Sequence, residues 1–176
     1  METLKHRVIQ FPARIARVVA RRRAPPATLI VSLLLWGGIS DSPAGAASSV
    51  RLAVIANSGV PVHSLSAGEI ASVFTRAMRN WKDGSLIRPL NLSPGTAERV
   101  EFDRVVLRME PEQSAQFWVD RIVRGEETAP KAIAKQEILL RLVETTSGAI
   151  GYVADDKVSS TVRVLARISD GKVVSP

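Results

Sequence analysis

From Val50 onward, short runs of β-branched and small apolar residues alternate with stretches whose apolar positions recur every three to four residues, and this alternation restricts the fold more than any other feature. Strand and helix periods, 2.0 and 3.6 residues, bury different sets of side chains, so neither pattern can serve the other's element. A chain that interleaves them folds as α/β layers, and the expectation is a mostly parallel sheet flanked by helices. No internal repeat breaks the pattern.

Its local punctuation is specific. The run 50–56 reads as a buried first strand that Asn57, Ser58, Gly59 and Pro61 end. Ser66 followed by Glu69 forms a capping box, in which each residue satisfies an amide the other leaves open, and it opens a helix expected to end near Arg79. The Trp81-Lys82-Asp83-Gly84 turn leads into a second strand, 86–92, where Pro89 lacks an amide donor and places the strand at an edge or delays its start. Thr96 is a natural N-cap for a helix carrying Phe102, Val105, Val106 and Met109. Pro111 opens the next helix, with Ala115, Trp118 and Ile122 on one face and Gly125 at its close. A charged loop over 126–132, a helix over 133–143 stopped by Gly148, and strands over 149–154 and 162–168 complete the reading, with an edge piece or a frayed end after that.

The first 47 residues carry a different signal. Lys5, Arg7, Arg14, Arg17 and Arg21, Arg22, Arg23 precede the nearly unbroken apolar stretch Ala27–Ile39. Thirteen residues of helix extend roughly 20 Å, short of a hydrocarbon core of roughly 30 Å, which suits a cleavable signal peptide better than a membrane span. Asp41, Ser42 and Pro43 break the stretch, and Ala44, Gly45, Ala46 offer an A-x-A site with cleavage after Ala46 or Ala47. The three arginines invite a twin-arginine reading, but Ala24, Pro25 and Pro26 follow where that signal wants a hydrophobic residue, so general secretion is favoured. An uncleaved anchor and a start codon placed too far upstream are the alternatives. The expected domain is 48–176, located in the periplasm.

Removing the leader changes the charge argument. It holds a net +5 of the chain's +7, leaving 17 basic against 15 acidic residues, interspersed along helices as on a solvated face rather than clustered as for nucleic acid. There is no cysteine, hence no disulfide, thiolate metal site or lipidated N-terminal Cys. His63 is the single histidine after the leader, and no spacing indicates a metal or another cofactor.

Recognition of an oxyanion needs converging hydrogen-bond donors at a helix start rather than a titrating catalyst. The pattern strand, polar turn, helix occurs twice, at Asn57-Ser58-Gly59 and at Ser93-Pro94-Gly95-Thr96. Gly95 permits close backbone approach, and Arg99, one turn into the helix, adds a possible charge-assisted bond. Taken alone, a Ser-Pro-Gly-Thr turn before a helix is more often a plain turn and cap.

From Ser64 to Leu107 the chain resembles the phosphate ABC transporter substrate-binding proteins: a helix ending in a Phe, a Trp-Asp turn, a strand, then a Ser-Gly-Thr-like loop and a helix with an inward Phe. Ser147–Val153 (SGAIGYV) is similar to the family's Gly-Ala-Ile-Gly-Tyr strand. The resemblance implies a small periplasmic-binding-protein-like domain of type II, with the anion held by Asn57 and Ser58 in one loop and by Ser93, Gly95 and Thr96 in the other, and with Arg99 matching an arginine of short members. Three departures stand out: Leu92 where the family tends to place an arginine, Pro94 within the loop, and Thr75-Arg76 in place of a glycine-containing helix end.

Other residues read as structural. Trp81, Trp118 and Tyr152 are expected to pack, Gly151 to allow close strand packing, and Asp83 to hold a turn. Glu110, Glu112, Glu126 and Glu127 are expected to be solvated. His63 beside Ser64 lacks the third partner of a triad, and neither Ser58 nor Ser93 has a base to activate it, so an enzyme is not expected. The expected function is reversible binding of phosphate or a related oxyanion by a monomer, with delivery to an ABC transporter permease. The alternative is a ligand-free envelope interaction or sensory module, with a membrane sensor as partner, that keeps the fold.

Overall fold

Leu52–Asn57 (β1) is apolar on both faces, and its first five residues are wholly buried, as a strand covered by helices on both sides must be. In the computed structural model, which describes residues 50–176, this strand lies near the middle of a six-stranded sheet ordered β3-β2-β4-β1-β5-β6. The other strands are Arg88–Leu92 (β2), Lys131–Ile133 (β3), Ala149–Ala154 (β4), Val162–Ser169 (β5) and Lys172–Val174 (β6). The leader and its cleavage point lie outside the described residues.

Helices flank the sheet as the sequence pattern required. Gly151 of β4 faces Leu139 of Gln136–Thr145 (α4), whereas Tyr152, pointing to the opposite side, meets Phe74 of Ala67–Phe74 (α1) and Phe102 of Ala97–Phe102 (α2). The Tyr152 ring stacks on Phe102 with centroids 3.9 Å apart, and its hydroxyl donates to Asn91 Oδ1 at 2.7 Å. Burial pushes the Tyr152 phenol far above its ordinary pKa. The three rings, with Ile70, Val73 and Val106, form the core of one layer.

Strand directions differ from the expected mostly parallel sheet. β2 runs parallel to both β3 and β4, but β1 is antiparallel to β4 and to β5, and β5 is antiparallel to β6. The last pairing has a local cause: Asp170 and Gly171 both adopt positive φ, 51° and 69°, the geometry of a two-residue hairpin. β1 is antiparallel because α1 and the following turn return the chain to the end of the sheet at which β1 leaves, and β2 starts from there. Pro89 behaves as anticipated. Arg88 N donates to Gly148 O of the β4 side, so the proline nitrogen one residue on turns away, toward β3, whose pairing begins only at Leu90.

Several boundaries moved. α1 stops at Phe74 rather than near Arg79, because Thr75 Oγ1 turns back to Ala71 O at 2.7 Å and Arg76 adopts a left-handed φ of 62°. Residues 131–133, expected as loop and helix start, form β3, so α4 begins three residues late. A π-helical turn, Asp103–Leu107, continues α2 directly before Pro111–Val123 (α3). On α3 the inward face is Ser114–Trp118, with Ala115 and Ile122 exposed, in place of the expected Ala115–Trp118–Ile122 face. Trp81 packs as expected, its Nε1 donating to Gly148 O. Asp83 holds its turn through Ser85, and those hydrogen bonds keep its carboxyl below the usual range. Glu127 is not simply solvated: it pairs with Arg76 and Arg79.

Candidate functional site

The two loops singled out in the sequence stand at opposite ends of the sheet. Ala56 pairs with Ile150, so Asn57 leaves β1 at the Ala149 end of β4, which is also where β2 begins with Arg88 opposite Ala149. Four strand residues later, roughly 13 Å along, β2 ends at Leu92 and delivers Ser93 to the other end. Asn57 and Ser58 therefore do not join Ser93, Gly95 and Thr96 in one site. The antiparallel direction of β1, set by contacts distant in sequence, is the reason.

Asn57 has a different task. Its Nδ2 donates to Val143 O and Glu144 O at 2.9 and 2.8 Å, closing two carbonyls left open at the C-terminal end of α4, and its Oδ1 accepts from Gly59 N. Ser58 lies exposed in the turn. Asn57→Ala is expected to cost about 1–2 kcal/mol of stability by urea unfolding, for three hydrogen bonds of about 0.5 kcal/mol each, while leaving any anion binding at Ser93–Thr96 unchanged.

At the other end, Gly95 adopts φ +85°, a conformation that a side chain would strain, and no atom lies within 4 Å of where a Cβ would stand. This turn brings Thr96 into position as N-cap: its Oγ1 accepts from Arg99 N at 3.2 Å and donates to Ser93 O at 3.2 Å. The amides of Ala97 and Glu98, in the first helical turn, have no partner within the helix. They share the turn with the Ser93 hydroxyl.

Arg99 turns inward instead of toward the loop. Its Nε donates to Asp103 Oδ2 at 2.7 Å, Nη1 to Leu92 O at 3.2 Å and Nη2 to Ser114 Oγ at 3.3 Å, and Arg99, Asp103 and Ser114 are all buried. Burial raises the Asp103 carboxyl above the ordinary range, against the pull of Arg99 and Ser114. The i,i+4 spacing of Arg99 and Asp103 was visible in the sequence as a possible pair; that the pair would be buried depended on Ser114, from the next helix. These three groups floor a cavity of about 240 Å³ whose walls include Pro94, Gly95, Val100, Ala115, Trp118 and Pro130. Trp118 is thus both packed and part of a cavity wall. Among the described residues, no group of three or more His, Asp or Glu is placed to hold a metal ion.

No protein-family model matches the chain, and no curated protein matches it in sequence. Solved structures do match. A Clostridium perfringens protein assigned as a phosphate ABC transporter substrate-binding protein, solved with bound phosphate, is 20% identical, with a TM-score of 0.54 over 66% of this chain and 45% of that one. An ABC-type phosphate transport receptor from Vibrio cholerae gives 16% identity and a TM-score of 0.52 over 65% and 44%. PstS from Borrelia burgdorferi gives 14% identity and a TM-score of 0.52 over 66% and 47%. At these identities the likeness is one of fold. The described residues form an α/β domain that shares its fold with part of these structures, and the chain spans less than half their length.

Proposed function

We propose that this chain is an exported solute-binding domain that captures phosphate or a related oxyanion reversibly at the start of α2, in the periplasm. The observation that carries this reading is the turn at Ser93–Thr96. There Gly95 and the Thr96 cap bring the end of a strand directly to a helix start, with a hydroxyl and the first-turn amides of Ala97 and Glu98 available as donors. Asn57 and Ser58 have no part in it, and Arg99 supports the loop through Leu92 O rather than supplying an unpaired charge. No bond need be made or broken, and delivery to an ABC transporter permease is the natural use of such capture.

Calorimetry at low salt tests the reading. Heat of binding is expected with phosphate, and no heat with phosphate or sulfate up to millimolar concentration would remove the proposal. Thr96→Ala is expected to weaken binding about fivefold, in line with a cap worth about 1 kcal/mol.

One observation favours a second reading. Val119, Ile122 and Val123 on α3 are 52, 54 and 80% exposed, an apolar surface of the sort that a protein partner covers. A ligand-free envelope interaction module would use it. Such a module predicts silent calorimetry, together with retention of a membrane partner in the absence of any anion.

A further inference from the structure

The cavity beside the Ser93–Thr96 turn is poorly matched to a bare inorganic ion. Its floor is already charge-balanced, since Asp103 takes the Arg99 charge at 2.7 Å, and three guanidinium hydrogen bonds are directed to protein acceptors. Its walls are Pro94, Val100, Pro111, Ala115, Trp118 and Pro130. A multiply charged oxyanion moved inside would give up its water to face carbon on most sides, at a cost that no remaining cation offsets. An uncharged organic group has no such cost and gains by leaving water.

The volume is adequate for such a group. A dry cavity of about 150 Å³ with aliphatic and aromatic walls holds a benzene ring, and this one measures about 240 Å³. Gly95 lies both on the cavity wall and in the turn that would hold the anion, so a single small molecule can span the two.

Resting on the oxyanion reading above, we infer that the solute is an organic oxyanion, a phosphomonoester or phosphonate, whose charged head sits at Gly95–Thr96 and whose uncharged group, up to about the size of a phenyl ring, enters the cavity against Trp118. The cavity is then the specificity element, and the turn supplies the charge recognition. Ala115, exposed on α3 and on the cavity wall, controls the space at the mouth.

Calorimetric titration of the full chain with inorganic phosphate, phenylphosphonate and benzyl alcohol separates the possibilities. Phenylphosphonate is expected to bind at least tenfold more tightly than phosphate. Ala115→Leu, which narrows the cavity and keeps a good helix former, is expected to abolish that advantage while leaving phosphate affinity unchanged. Equal affinities for phosphate and phenylphosphonate, or an advantage that survives Ala115→Leu, overturn the inference and leave the oxyanion reading standing. Binding of benzyl alcohol as tight as that of phenylphosphonate overturns the inference by removing the charged head from it. Absence of binding by both anions overturns the oxyanion reading and this inference with it.

Discussion

Arg99→Met is expected to lower the unfolding free energy by about 3–5 kcal/mol at neutral pH, because it leaves the Asp103 carboxylate buried without its cation. Asp103 and Arg99 are 3 and 8% exposed, so the carboxylate is largely withdrawn from water and loses its main compensating charge. The deficit has a definite pH dependence. Burial already holds the folded Asp103 pKa above its unfolded value, and losing Arg99 raises it further. The native state then retains a proton that the unfolded chain releases, so stability falls as pH rises through the interval from the ordinary carboxylate range up to the raised value. Urea unfolding of Arg99→Met should accordingly show a smaller deficit at pH 5 than at pH 7. The double variant Arg99→Met with Asp103→Leu should recover most of the loss, since an apolar pair of similar volume removes the stranded charge. A single variant that unfolds like the parent at pH 7 would show that the pair contributes little.

Gly148→Ala is expected to cost about 3 kcal/mol or more. Two independent penalties coincide there. φ is +74°, which a side chain strains, and the added Cβ would lie 2.2 Å from the backbone oxygen of Leu86, with Trp81 Nε1 at 3.5 Å. A flexible side chain moves aside cheaply; a carbonyl fixed between a turn and the start of β2 does not. Gly84→Ala supplies the control. Its φ is +84°, but no atom lies within 4 Å of the new Cβ, so it should cost only about 1 kcal/mol. Thermal unfolding of the two variants distinguishes the contributions: similar losses would mean that strain alone matters and that the Leu86 carbonyl yields.

The sequence made the local devices legible and the long-range ones not. The Ser66–Glu69 box, the Thr96 cap and the strand Ala149–Ala154 are present as read, because each depends on residues a few positions apart. β3 escaped notice because three residues after a proline, with one lysine among them, carry no periodicity of their own; β2 makes them a strand. The role of Asn57 depends on carbonyls 86 and 87 residues away, which no local pattern encodes. The inward turn of Arg99 is an intermediate case. Asp103 stands at the local i+4 spacing, whereas Ser114, 15 residues on, completes the burial.

The same strand directions that parted the two loops also decide how the domain can be held. β1 begins at Leu52 opposite Ala154, so the chain enters the sheet at the end where Ser93 and Thr96 stand, two strand spacings or roughly 10 Å across from β2. β6 runs back in the direction of β1, toward the opposite end. A sensor chip or bead attached at Val50 or Arg51, immediately ahead of β1, would crowd the Ser93–Thr96 turn, whereas attachment through Pro176 leaves it facing solvent. The sheet's topology thus selects the C-terminal tether for any binding measurement made on a surface.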